Sequence, residues 1–215
     1  MQINGLFAAK PRPFGPRNAP SSIIKSPIAQ LTVSFNGTEE DEQGNKKLHG
    51  GPEKVLHQYG PLGYEQLKAA YPKLADQFQP GTIGENIVVN GMEDVNVHVG
   101  DKYKLGQVLV QVSAPRAPCN KISHRFKERN LDRFVGKQGI TGWYYRVLEP
   151  GIIRLGDTVE RVERTEASVS IHNLVKTLFA EKPKVEVLLQ YGEMKVLDDE
   201  WKQKCLSKAK KLTVK

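Results

Sequence analysis

A mainly β fold, a barrel of short strands followed by a small unit of three helices, is what this sequence predicts. Three observations carry that prediction. Residues 82–113 and 141–164 hold short apolar or alternating runs punctuated by Gly and Pro, the pattern of strands joined by tight turns. Long irregular segments separate these runs, as in small barrels. From residue 168 onward the apolar positions take helical spacing instead.

Taken in order, "KPRPFGPRNAP" (10–20) reads as a loop, because its prolines remove donors and fix φ. "SIIKSPIAQLTVSF" (22–35) reads as extended, with a break at Pro27. "TEEDEQGNKKLHGGPE" (38–53) is polar and glycine-rich, a long surface loop of the kind that often carries function. Leu62, Leu67, Ala70 and Tyr71 have the spacing of a helix that Pro72 ends. Residues 82–89 and 101–113 are strands, the second turning at Gly106, and 121–139 are helical in part. Residues 141–164 read as strand, Pro-Gly turn, strand, strand. Val169, Ile171, Leu174, Val175, Leu178 and Phe179 mark an amphipathic helix. Pro183 at a first helical position opens a second helix. Residues 198–212 form a third, acidic at its start and lysine-rich at its end as the helix dipole favours. The expected boundary gives a β domain over 1–164 and a helical one over 165–215.

The 215 residues carry a net charge of +8, which attracts anions such as phosphate, a phosphorylated cofactor or nucleic acid. No aromatic RNP stripe, zinc-finger spacing or long basic helix supports nucleic acid as the partner. No apolar run is long enough for a membrane span, and the first residues lack a secretory pattern. A cytoplasmic protein is expected. Two cysteines, Cys119 and Cys205, argue against a disulfide scaffold and cannot build a four-cysteine zinc site or iron–sulfur cluster.

Cys119 stands in "SAPRAPCNKISHRF" (113–126), near Arg116, Lys121 and Arg125. Cationic neighbours and a helix start favour the thiolate, the form that binds metal or attacks. A free cysteine also fills buried space, and the residues alone leave both readings open. Cys205 lies on a helix flank and reads as structural. His49-Gly50-Gly51 and His57 could form a backbone turn that binds an anion, or an ordinary turn flanked by surface histidines. Lys54 could meet a phosphate as a point charge. Arg116 and Arg146 carry the planar fork suited to phosphate or carboxylate, and Arg146 alternates with Tyr144 on one strand face. Glu85 and Asn86 read as structural support, Trp143 as core or pocket wall. His124 near Cys119 invites a hydrolytic dyad, but no third group or oxyanion motif accompanies it.

Four blocks then stand together: "EDEQGNKKLHGGPEKVLHQY" (40–59), "GENI" (84–87), "APRAPCNKISHRF" (114–126) and "TGWYYRVLEPG" (141–151). Their order and spacing resemble the MOSC domain family, most closely its stand-alone bacterial branch of 6-N-hydroxylaminopurine resistance proteins, over almost the whole chain. That branch usually has aspartate where Asn45 stands, so no carboxylate role is assigned there. The resemblance implies a MOSC-type β-barrel with a cleft, a three-helix C-terminal domain, and molybdenum cofactor (molybdopterin) in the cleft. It makes Cys119 the catalytic residue and the molybdenum ligand. Cofactor contacts are expected from His49, Gly50, Gly51, Lys54, His57, Arg116, Lys121 and Arg146. It implies reduction of small N-hydroxylated compounds with electrons from an external donor, expected to be a flavoprotein. A second copy of the chain is a further candidate partner, and neither membrane nor nucleic acid is expected. Pyridoxal phosphate, zinc and iron–sulfur clusters are not expected. A persulfide carrier using Cys119, or a cofactor-binding and delivery module, are the alternatives.

Overall fold

Alternation of apolar and polar side chains sets the strands, and proline and glycine set where they stop. The computed structural model describes residues 1–46, 50–166 and 168–213. Its strands are β1 (Ile3–Ala8), β2 (Arg12–Phe14), β3 (Ala19–Ser21), β4 (Ser26–Pro27), β5 (Gln30–Ser34), β6 (Gly37–Thr38), β7 (Leu56–Gln58), β8 (Ile87–Val89), β9 (Lys102–Leu105), β10 (Val108–Pro115), β11 (Trp143–Glu149), β12 (Gly151–Arg154) and β13 (Val159–Glu163). The helices are α1 (Pro61–Ala70), α2 (Asn120–Phe126), α3 (Leu131–Gln138), α4 (Ile171–Phe179), α5 (Val185–Gly192) and α6 (Asp199–Thr213), with 3₁₀ turns at Pro52–Lys54 and Pro72–Gln77.

Eight strands form one sheet in the order β13-β9-β10-β11-β7-β8-β1-β4. Only the β7–β8 pair is parallel within it. The fold mixes this sheet with helices where a mainly β barrel was expected, and the ladder does not close into the expected barrel. The reason lies in β1, whose outer edge is divided. Phe7 and Ala8 pair with β4, while an isolated bridge, Gln2↔Thr158, meets the start of β13. Pro27 in β4 has no N–H to extend that edge. Strands β12, β5 and β6 form a smaller sheet. The segment 10–20, expected as a loop, is a hairpin of β2 and β3, with Pro13 opposite Pro20. A two-stranded edge tolerates prolines at positions that donate nothing to the ladder.

Two cores position the cleft. The larger joins sheet residues such as Val97, Val110, Val112 and Tyr145 to Ile171, Leu174, Val175, Leu197 and Trp201. It therefore runs across the expected boundary at 164/165, and α4 and the start of α6 belong to it. The second core lies under α1, α2 and α3, with Tyr59, Leu67, Phe78, Ile122, Phe126 and Leu131. Helix α1 ends just before Pro72, as its spacing predicts. Helix α5 starts at Val185 after Lys184 at the cap, two residues later than Pro183 suggested. Cys205 is buried between α5 and α6 with Leu188 and Ala209. No helix among the described residues is long and apolar enough to cross a membrane.

Because Trp201 is buried in the shared core, Trp201→Ala is expected to cost about 3–5 kcal/mol. Urea unfolding followed by tryptophan fluorescence and by far-ultraviolet circular dichroism is expected to show one coincident transition in the wild-type chain. Two separated transitions would mean that the helices fold independently of the sheet.

Candidate functional site

Where β10 ends, the chain runs Arg116, Ala117, Pro118 and Cys119 into α2. Cys119 has extended backbone (φ −125°, ψ 156°) at the cap position of that helix, as expected for a residue joining an extended segment to a helix. The Arg116 N–H donates to the Gly142 carbonyl at 3.0 Å, tying this segment to the start of β11. Gly142 has φ +67°, and a Cβ there would lie 2.3 Å from the Gln58 carbonyl oxygen and 2.9 Å from His57 Nε2. Only glycine lets the two strands and the His57 ring approach this closely. Asp94 holds the same turn from below, accepting the Thr141 and Gly142 N–H groups at 2.9 Å each.

These elements wall a cleft lined by Ser21, Ile23, Lys25, Asp41, Gln43, Lys54, His57, Gly84, Asn86, Arg116, Cys119, Lys121 and Tyr144, among others. Cys119 is half-buried. Arg116 is 6% exposed. Its Nη2 lies 4.0 Å from Cys119 Sγ, and its side chain bonds the Tyr144 hydroxyl. Its Nη1 is buried with no hydrogen-bond partner among the described residues. No carboxylate pairs with Arg116 among those residues, whereas the neighbouring cations have partners. Lys25 pairs with Asp41 in a bond that is buried on both sides. Burial lowers the Lys25 pKa, Asp41 opposes that shift, and the Arg116 charge adds to it. Asp41 also accepts the Ala9 N–H at 2.7 Å.

His57 sits on β7, buried, with its ring centroid 5.4 Å from that of Tyr144. Its backbone is clamped by Asn86, which accepts the His57 N–H at 3.1 Å through Oδ1 and donates to Phe7 O at 3.1 Å. Burial, and then the Arg116 charge, push its pKa well below the usual histidine value. The ring is therefore neutral near pH 7, and Nε2 has no hydrogen-bond partner among the described residues. Burial likewise pushes the Tyr144 phenol up to about 12, so it keeps its proton. Glu85, beside Asn86, is spent on structure, accepting from Tyr64 Oη, Gly81 N and Ile83 N.

Of the residues expected from sequence, Cys119, Lys54, His57, Arg116 and Lys121 come together in the cleft. Lys121 also donates to Pro20 O at 2.7 Å. Lys54 is bonded to Glu200 and lies 3.9 Å from Asp198, so its charge is shared with the start of α6. Gly50, Gly51 and Arg146 line a separate groove between the sheet and α6. The Arg146 guanidinium is bonded there by Glu53, Gln111 Oε1 at 2.8 Å and Val196 O at 2.8 Å, outside the Cys119 cleft lining. His49 lies outside the described residues. Sequence reasoning missed Lys25, Asp41 and Tyr144 as cleft residues. The buried lysine–aspartate pair spans sixteen positions, a separation with no sequence signature. Among the described residues no three His, Cys, Asp or Glu side chains gather to hold a metal ion, so Cys119 is the soft ligand on offer in the cleft.

With this geometry in place, comparison with known proteins becomes informative. A model of the MOSC domain matches residues 45–160, and the chain belongs to the MOSC domain family. Within it the chain falls in the YiiM-like branch. It is 35% identical over 150 residues to Protein YiiM of Escherichia coli strain K12, covering 69% of this chain and 67% of that one. The crystal structure of YiiM from Geobacillus stearothermophilus superposes with a TM-score of 0.80 at 26% identity, covering 97% of this chain and 98% of that one. A protein of Gibberella moniliformis named Reductase is 38% identical over 167 residues, which are 77% of this chain and 29% of that protein. The match therefore spans less than a third of the fungal protein.

Two outcomes are expected. Native protein treated with iodoacetamide is expected to label at Cys119 and not at Cys205, which is buried and has its thiol pushed up to about 11 by that burial. Labelling of Cys205 at a comparable rate would contradict the packing of α5 on α6. Burial raises Asp94 from 3.8 to about 7 against the pull of its two N–H donors. Its contribution to stability is fully present below about pH 4 and is lost as pH rises through about 7. Glu93, also raised to about 7 by burial, titrates in the same window. Asp94→Asn keeps an acceptor oxygen and is expected to gain at least about 1 kcal/mol over wild type at pH 8. No gain is expected below about pH 4. Urea denaturation across that range measures both.

Proposed function

We propose that this chain is a molybdenum-cofactor-dependent reductase that removes the oxygen of N-hydroxylated bases and related compounds. The observation that carries this reading is Arg116, a buried cation without a carboxylate among the described residues, with an unpartnered Nη1, in the same cleft as the half-buried Cys119. A buried charge left without a counter-charge is costly, so the cleft suits an anion. The donor set fits the cofactor. Cys119 offers a sulfur ligand to a soft metal. Arg116 offers a fork for a phosphate or other oxyanion, with Lys121 adding positive charge at the wall. The neutral His57 ring offers Nε2 to a heterocycle, and the protonated Tyr144 hydroxyl lies beside it. Membership of the MOSC family and the relative named Reductase support the same reading.

The two-electron chemistry of N–O cleavage is the cofactor's own contribution. What the chain supplies is position and field. Arg116 places positive charge beside the sulfur, its Nη2 4.0 Å from Cys119 Sγ. The Asp94–Gly142–Arg116 connection fixes that guanidinium relative to Cys119. The half-buried position of Cys119 leaves the mouth of the cleft open to a small substrate. Reduction of R–NHOH to R–NH₂ and water consumes two electrons and two protons. With two cysteines and no flavin-binding glycine fingerprint, the electrons enter from an external donor protein.

Protein isolated from cells that make molybdenum cofactor is expected to carry molybdenum and pterin and to reduce 6-N-hydroxylaminopurine. Cys119→Ser is expected to retain less metal by about ten-fold or more and to lose the reduction. Absence of metal from both, with cyanide-labile sulfur on Cys119, would instead identify a persulfide carrier. Metal retained without turnover by any donor would identify a delivery module.

A further inference from the structure

One stretch of this protein is basic without any ion pair among the described residues. Residues 116–137 contain seven Lys and Arg against two acids, Glu128 and Asp132, a large part of the chain's net charge of +8. Asp132 is engaged by Ser123, through its Oγ at 2.6 Å. Folding brings a second basic segment to the same place. Hairpin β2–β3 pairs Arg12 directly with Ser21, which lines the cleft. At the hairpin's turn, a Cβ on Gly15 would lie 3.6 Å from the His124 ring of α2. Lys121 lines the cleft itself, while Lys127, Arg129 and Arg133 line a neighbouring groove with Asn120 and His124 of α2, and Arg12 and Arg17 lie on the hairpin packed against α2. Arg12, Arg17, Lys127, Arg129 and Arg133 are exposed. None of the six is in an ion pair among the described residues.

We infer that this belt of unpaired cations on the hairpin, α2 and α3, beside the Cys119 cleft, is the docking surface for the electron donor, a small redox protein with acidic side chains around its own cofactor. The inference rests on the reductase reading above, which requires two electrons per turnover from outside the chain. A donor has to bring its redox centre close to Cys119, and the helix that Cys119 caps carries part of the belt. Charges of one sign left uncompensated and exposed attract an oppositely charged partner over several ångströms and speed encounter, while contributing little to fold stability. The belt is open, exposed and carried by two rigid supports. Phe14 of the hairpin and Ile122 and Phe126 of α2 pack in one core, so the two halves keep their spacing. Such a surface suits a transient protein partner that must dock and leave within a turnover.

The test uses the full chain loaded with cofactor and two kinds of reductant: reduced viologen, a small cation, and reduced flavodoxin or plant-type ferredoxin, both acidic proteins. Arg129→Glu/Arg133→Glu lies outside the cleft lining. It is expected to leave viologen-driven reduction of 6-N-hydroxylaminopurine unchanged and to lower kcat/KM for the protein donors by about ten-fold or more. Wild-type turnover with the protein donors is expected to fall steeply with added salt. Equal loss with both reductants would assign these arginines to structure and overturn the inference. Viologen-driven turnover with no protein-driven turnover would overturn it as well, as would protein-driven turnover indifferent to the double substitution. Salt-sensitive binding of a single-stranded oligonucleotide, abolished by the same substitutions while protein-driven turnover is unaffected, would hand the surface to nucleic acid. Failure with viologen itself would remove the reductase reading, and with it this one.

Discussion

A guanidinium buried without a counter-ion is the constraint around which this site is arranged. Arginine keeps its charge at any physiological pH, and an isolated buried charge is expensive. Arg116 is nonetheless held in the cleft by its backbone bond to Gly142 and by Tyr144. Its field is visible in what surrounds it. His57 is kept neutral, and Lys25 is drawn into a tight pair with Asp41. Lys54 is turned toward Asp198 and Glu200. Arg116 itself has no carboxylate partner among the described residues, and its Nη1 has no hydrogen-bond partner among them. The Cys119 thiol lies 4.0 Å from that charge, the pairing on which the proposed binding of an anion and a soft metal rests.

The two cores explain why that arrangement is rigid. Strand β10 brings Arg116 from the large core of the sheet, and α2 carries Cys119 from the smaller core beneath α1 and α3. The cleft is the seam between them. Glycine at 142 and asparagine at 86 close the seam from the strand side. The first of the C-terminal helices and the start of the last are part of the large core, and Glu200 reaches the Lys54 side of the cleft. The helical unit therefore takes part in setting the electrostatics of the site.

The strands of the β body, α1 with its stop at Pro72 and the three C-terminal helices were legible in the sequence because each has a local cause: a period, a cap or a proline. Cys119 at a helix start was legible for the same reason. What stayed hidden was non-local. The Lys25–Asp41 pair joins segments with no shared motif. Arg146 shares a strand face with Tyr144, but Glu53, distant in sequence, occupies its fork. The hairpin within 10–20 was concealed by prolines that exclude a central strand yet suit an edge. Barrel closure also failed locally: the outer edge of β1 was already shared between β4 and the bridge to β13.

Seen together, the interior and the rim of the cleft divide the work by charge. Inside, Lys25 and Lys54 are paired with acids and Arg116 has no carboxylate partner among the described residues. Outside, the cations are left unmatched, where they act at a distance on whatever approaches. The most direct measurement is diffraction at the molybdenum absorption edge, from crystals of protein isolated from cells that make the cofactor. The account predicts an anomalous peak in the cleft beside Cys119 Sγ, with the anionic part of the ligand against Arg116. A protein that retains molybdenum elsewhere, with Arg116 facing only solvent and side chains, would contradict it.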